Sequence, residues 1–97
     1  MYRKPMRFEW DETKNQTNIR KHGIGFDTAK RIFEGVVATA PDRRRDYGED
    51  RHVSIGRVET GVLIVVAHAE RGGRIRLISA RPASRKERRI YDERARR

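Results

Sequence analysis

The 97-residue chain contains no cysteine, so neither disulfides nor thiolate metal sites hold it together, and a reducing cytoplasm is its natural setting. Aromatic residues are scarce, at 7%, which leaves no aromatic-rich strand of the kind that stacks RNA bases. No apolar run reaches membrane-spanning length, and "MYRKPMRFEW" carries basic residues without the apolar stretch of a secretory signal. No glycine-rich phosphate loop precedes a helix and no serine sits in a nucleophile elbow, so nucleotide-dependent chemistry is not expected. His22, His52 and His68 are far apart in sequence and lack paired carboxylates at ligand spacing, so no metal site and no cofactor is expected.

What the chain has in abundance is positive charge. Its formal net charge is +10, and 19 of its 24 basic residues are arginines. Such a field attracts polyanions. The arginine bias favours two-point contacts to phosphate or carboxylate, because the guanidinium is a flat fork of fixed donors. Apolar residues make up only 35% but are bunched, most densely from Val62 to Ala67. That supports one compact domain and leaves too little for a second core.

Punctuation along the chain predicts an α+β domain of the order strand, two helices, four strands, helix. Phe8 to Trp10 reads as a first strand, and Asp11 as the N-cap of a helix that Gly23 stops. That helix has Ile19 as its sole large aliphatic residue, so it is expected at the domain edge, presenting Lys14, Asn18, Lys21 and His22 to solvent or a ligand. Phe26, Ala29 and Phe33 give a second helix closed by Gly35. "VVATA" is a strand ended by Pro41, and "PDRRRDYGEDR" reads as a mobile charged loop whose Arg43 to Arg45 run serves non-specific electrostatics. Residues 51–58 alternate, with Val53 and Ile55 on one face and His52, Ser54 and Gly56 on the other, as a half-exposed strand. "VLIVVAHAE" reads as a central strand, Gly72-Gly73 as a tight hairpin turn and "RIRLISAR" as the returning strand. Pro82 closes it, and Ser84 with Glu87 has the capping-box spacing for a final helix. The helices are expected to cover one face of the sheet.

A two-residue turn pairs Glu70 with Ile75, His68 with Leu77 and Val66 with Ser79. Alternation then places His68, Glu70, Ser79 and Arg81 on one face and Arg71, Arg74 and Arg76 on the other, beside Ala67 and Ala69. A one-residue bulge would exchange partners between the faces. The first face has the ingredients for phosphodiester cleavage without a metal, because RNA supplies its own 2′-hydroxyl nucleophile. His68 or Glu70 is the candidate base, Arg76 and Arg81 hold the phosphate, and Lys21 or His22 assists if the end of the first helix folds over the sheet. Packing is the competing role for His68, and an exposed ion pair is the competing role for Glu70. Arg51, Arg71, Arg74, Arg85 and Arg88 are the candidates for further RNA contact; Arg85, Lys86, Arg88 and Arg89 serve equally well as a solvated or partner-binding face.

The stretches "FEWDETKNQTNIRKHGIGFDTAKRIF", "DRHVSIGRV" and "VVAHAERGGRIRLISARPASRKERRIYDE" together resemble the BrnT family, toxins of BrnT/BrnA type II toxin-antitoxin systems. The resemblance covers nearly the whole chain. It implies a RelE-like fold, ribonuclease activity that suppresses translation, and neutralisation by a BrnA antitoxin whose ribbon-helix-helix part binds operator DNA. The family pattern falls on Lys21, His22, Arg71, Arg76 and Arg81, with His68 and Glu70 nearby.

Two other readings fit the charge. A non-enzymatic nucleic-acid-binding regulator is one, although no basic helix has the spacing of a helix-turn-helix reader. The other is a surface that chiefly seats an acidic partner.

Overall fold

The computed structural model describes residues 6–44 and 46–95. Five strands form one sheet in the order β1-β5-β4-β3-β2, built from β1 (Phe8–Glu9), β2 (Val37–Pro41), β3 (His52–Arg57), β4 (Leu63–Arg71) and β5 (Arg74–Pro82). All neighbours are antiparallel except β1, which runs parallel to β5. Helix α1 (Glu12–His22), helix α2 (Phe26–Ala29) and a 3-10 helix (Lys30–Glu34) connect β1 to β2, and α3 (Arg85–Ala95) closes the chain. The element order is the expected one, and the boundaries of β2 to β5 fall within about one residue of those set by Gly and Pro.

Local chemistry explains the helix ends. The Asp11 carboxylate accepts the Thr13 and Lys14 N–H groups, and Gly23 ends α1 at φ 70°, a left-handed conformation open to glycine. Gly72 and Gly73 both have positive φ, as a type I′ hairpin requires. The second predicted helix is shorter than its periodicity suggests: after one turn it tightens into the 3-10 form, with Ile32 and Phe33 buried.

The sheet is covered on both faces, not one. On the first, α2 and the 3-10 helix bury Phe26, Ala29, Ile32 and Phe33 against Ile64, Val66, Ile75, Leu77 and Ala80. We call this the α2 face. On the other, α3 lays Tyr91 and Ile90 over Ala38, Ile55, Leu63 and Val65, and the Tyr91 hydroxyl donates to the Val36 carbonyl at 3.0 Å. β3 is therefore covered on both sides, and Ser54 is completely buried. The 3-10 helix passes so close to β3 that a Cβ at Gly56 would stand 2.7 Å from the Ile32 Cβ.

Helix α1 docks by amides and not by apolar contact. Ile19 is 39% exposed, whereas Asn15 and Asn18 are buried. Asn18, expected on the solvent side, donates to the Ala80 and Ile24 carbonyls and accepts the Ala80 N–H. β1 pairs with β5 only at Ile75 and Arg76, so the Asn18 carboxamide stands in for the missing strand at Ala80. Asn15 accepts the Phe26 N–H at 2.8 Å and so fixes the start of α2.

Candidate active site

The decisive local feature is a bulge in the β4–β5 hairpin. From the turn, Glu70 faces Ile75, Ala69 faces Arg76 and His68 faces Leu77, but Ala67 then faces Ser79 and Val65 faces Arg81. Ile78 is the extra residue. Val66 accordingly faces Ala80 and not Ser79. Directly opposed residues share a face, so the bulge puts Arg76, Ser79 and Arg81 together on the α3 face beside Ala67 and Ala69, and leaves His68 on the α2 face. The expected grouping of His68 and Glu70 with Ser79 and Arg81 is overturned for this reason.

His68 is a core residue. It is 8% exposed, lies edge-on to the Phe33 ring at 5.1 Å, and shares a hydrogen bond of 2.8 Å between Nε2 and Ser54 Oγ. Ser54 in turn bonds Thr39 Oγ1 at 2.7 Å. Burial, aided by the charge of the stacked His52 ring, pushes the His68 pKa down to about 4. The imidazole is thus neutral at physiological pH and engaged inside the fold. Glu70 is exposed near the hairpin turn, and Lys21 and His22 are exposed in the last turn of α1. Of the six catalytic candidates, Arg76 and Arg81 therefore share one face of the sheet, His68 and Glu70 lie on the other, and Lys21 and His22 stand apart at the end of α1.

What the α3 face gathers instead is arginine. A groove of about 220 Å³ is floored by Val53, Val65, Ala67 and Ser79 and walled by two ion pairs. On one wall Arg81 meets Glu87 through two hydrogen bonds, 2.8 and 2.7 Å. On the other, Arg44 meets Asp42 through two of 2.8 Å. Fork-to-carboxylate pairing of this kind holds the planes of both groups. The Arg44 charge also opposes that of Arg81 across the gap, although the Glu87 bond outweighs it and raises the Arg81 pKa.

Glu87 has two partners of different kinds. Its carboxylate takes the Arg81 guanidinium and also accepts the Ser84 N–H at 2.8 Å, while Ser84 Oγ accepts the Glu87 N–H at 3.2 Å. The capping box predicted for α3 thus also positions the groove wall. Arg81 and the helix cap together hold the Glu87 pKa down to about 2, and Arg44 does the same for Asp42.

Further arginines rim this face. Arg76 and Arg74 approach Glu9 at 3.0 and 3.8 Å, and Arg71 and Arg51 share Glu49 at 2.9 and 3.2 Å. Arg85 and Arg88 are exposed on α3. The segment expected to be a mobile loop is tied down: Asp42 is buried, its N–H donates to the Arg51 carbonyl at 2.8 Å, and Glu49 bridges to β4 through Arg71. Arg45 lies outside the described residues, as do residues 1–5 at the head of the basic N-terminal segment.

Asp42 and Tyr47 carry no role in the sequence reading, and Arg44 enters it only within the Arg43 to Arg45 run expected to serve non-specific electrostatics. The Asp-x-Arg spacing after Pro41 is the signal that marks them, because a two-residue separation lets Arg44 turn back onto the Asp42 carboxylate. Among the described residues no three His, Asp or Glu side chains come together as metal ligands, and no helix is long and apolar enough to cross a membrane.

Comparison with known proteins agrees with this architecture. The family model for the ribonuclease toxin BrnT of type II toxin-antitoxin systems matches residues 10–87. The crystal structure of the Brucella abortus ribonuclease toxin BrnT superposes with a TM-score of 0.66 at 31% identity, over 84% of this chain and all of that one. No curated protein sequence matches the chain. A family match that spans α1 to the first turn of α3 takes in both ion-pair walls and the floor between them, and the chain belongs to the BrnT family of type II toxin-antitoxin ribonuclease toxins.

Proposed function

We infer that the chain is a metal-independent endoribonuclease that cuts RNA in the groove between Arg81 and Arg44 and thereby inhibits translation. The observation that carries this reading is the pair of guanidinium groups, each held in a two-point ion pair, that line one groove over a floor of Val53, Val65, Ala67 and Ser79. Each is already aligned on a planar anion, which is the geometry a phosphodiester requires.

A phosphate entering the groove competes with Glu87 for Arg81. Once displaced, Glu87 loses the cation that holds its pKa near 2, while its Ser84 hydrogen bond keeps it within the groove wall. Its proton affinity rises, and it becomes the base for the 2′-hydroxyl. The 2′-oxygen attacks phosphorus, the bond to the 5′-oxygen breaks, and that oxygen takes a proton from water, whose hydroxide recovers the proton held by Glu87. The products are a 2′,3′-cyclic phosphate and a 5′-hydroxyl. Arg81 and Arg44 meet the charge that builds on the pentacoordinate phosphorus. Arg76, Arg71, Arg74 and Arg51 extend the positive face along the strand, and Arg85 and Arg88 add long-range attraction. Lys21, His22, His68 and Glu70 take no part in the reacting group on this reading, and His68 serves the core.

Neutralisation follows from a BrnA-like antitoxin with a ribbon-helix-helix domain, which brings operator DNA to the complex, in the cytoplasm. The antitoxin-free protein incubated with RNA in EDTA tests the enzymatic reading. Cleavage with cyclic-phosphate ends supports it; tight, salt-steep binding without cleavage would replace it with a nucleic-acid-binding regulator.

A further inference from the structure

Beyond the Asp42 wall lies a second hollow, of about 570 Å³, which shares Pro41, Asp42 and Arg43 with the groove. It is bordered by Tyr47, Arg51, His52, Asp46 and Asp50. The Arg51 guanidinium sits 4.0 Å from the centre of the Tyr47 ring. Arg51 is held by Glu49, which Arg71 ties to β4, and Tyr47 lies near enough to the buried Asp42 carboxylate to help hold its pKa down. Both residues also border a hollow that reaches Ile78 and continues to Ala67 and Ser79 on the groove floor.

We propose that this hollow is a nucleobase subsite for the nucleotide next to the scissile phosphate, and that it favours a base bearing an exocyclic amino group over uracil. The proposal rests on the ribonuclease reading for its substrate, but its own support is the stacked Tyr47–Arg51 pair in an open hollow that continues from the phosphate groove. A flat aromatic-guanidinium pair beside a phosphate site is what an unstacked base needs for its π-face. The rim carboxylates set the preference. Asp46 accepts the Gly48 N–H through one oxygen at 2.8 Å, and both Asp46 and Asp50 are exposed at the rim. Both are acceptors, so they meet the amino group of cytosine favourably and repel the corresponding carbonyl of uracil.

Fluorescence anisotropy with dye-labelled hexacytidylate and hexauridylate, at fixed salt, tests this on the full chain without relying on cleavage. Wild type is expected to bind hexacytidylate about tenfold more tightly than hexauridylate, Tyr47→Ala to lose about tenfold in affinity for hexacytidylate, and Tyr47→Phe to keep most of it. Because Asp46 and Asp50 are exposed, Asp46→Asn combined with Asp50→Asn leaves the fold intact and is expected to bring the two affinities together. Equal wild-type affinities, or an unchanged preference in the double variant, would overturn the subsite. RNA cleavage without base preference removes this inference alone, and base preference without cleavage removes the ribonuclease reading alone.

Discussion

Arg81 and Glu87 meet in a two-point ion pair of 2.8 and 2.7 Å that ties the end of β5 to the first turn of α3. The same carboxylate caps the helix, so the pair joins the fold to the chemistry proposed for it. Arg81→Ala is expected to lower kcat/KM on a short RNA by about a hundredfold or more, the usual cost of removing one transition-state donor. The Arg81 side chain is 41% exposed, so the circular dichroism spectrum should be unchanged. Arg81→Lys keeps the charge but not the fork and should restore only part of the activity.

Asn18 predicts a stability effect at a distance from the groove. Asn18→Ala strands the N–H and C=O of Ala80 and the Ile24 carbonyl in the interior. The expected loss is about 2–3 kcal/mol in urea unfolding, from the desolvation of groups left without partners. Asn18→Asp removes both donated bonds and should be no better.

His68 gives the protein a pH dependence with a definite sign. Its pKa is about 4 in the folded chain and near 6.5 unfolded. The unfolded state therefore takes up the proton first, and stability falls as pH drops through the window from about 6.5 to 4. Between pH 7 and pH 5 the loss should be about 2 kcal/mol, and it should be absent in His68→Gln. The depressed carboxyls of Asp42 and Glu87 act in a lower window: their contribution is present above their unfolded pKa values and is lost as pH falls towards about 2.

Gly56 is constrained by space. Gly56→Ala places a methyl against Ile32 and Val37, with distances of 2.7 and 3.1 Å to their nearest side-chain carbons. Thermal unfolding should register a loss of about 1–3 kcal/mol, typical of overpacking.

The features legible in the sequence are those determined within a few residues. Asp11 capping α1, Gly23 ending it, the Gly72-Gly73 turn and the Ser84/Glu87 box each act locally, so the order of elements could be read from them. The bulge at Ile78 has no such mark. It carries neither Gly nor Pro, and it depends on how β5 settles between β4 and the Asn18 carboxamide, 60 or so positions away in the chain. A hairpin without the bulge would place His68 on the same face as Arg81. The same limit applies to the loop after Pro41, whose charges suggest solvent, whereas the bond from the Asp42 N–H to the Arg51 carbonyl and the Glu49–Arg71 bridge fasten it to the sheet. Placement of α3 on the opposite face followed from Tyr91 and Ile90, too small an apolar stripe to reveal which face it would cover.

Cleavage in this groove requires a phosphate held between the two guanidinium walls. The most direct measurement is cleavage of a defined single-stranded RNA in EDTA by wild type, Arg81→Ala and Arg44→Ala, with the ends of the products identified. Both variants should fold, bind RNA more weakly and lose most of the cleavage, and wild type should leave 2′,3′-cyclic phosphates. Cleavage undiminished in both variants would contradict the assignment of the reaction to this groove.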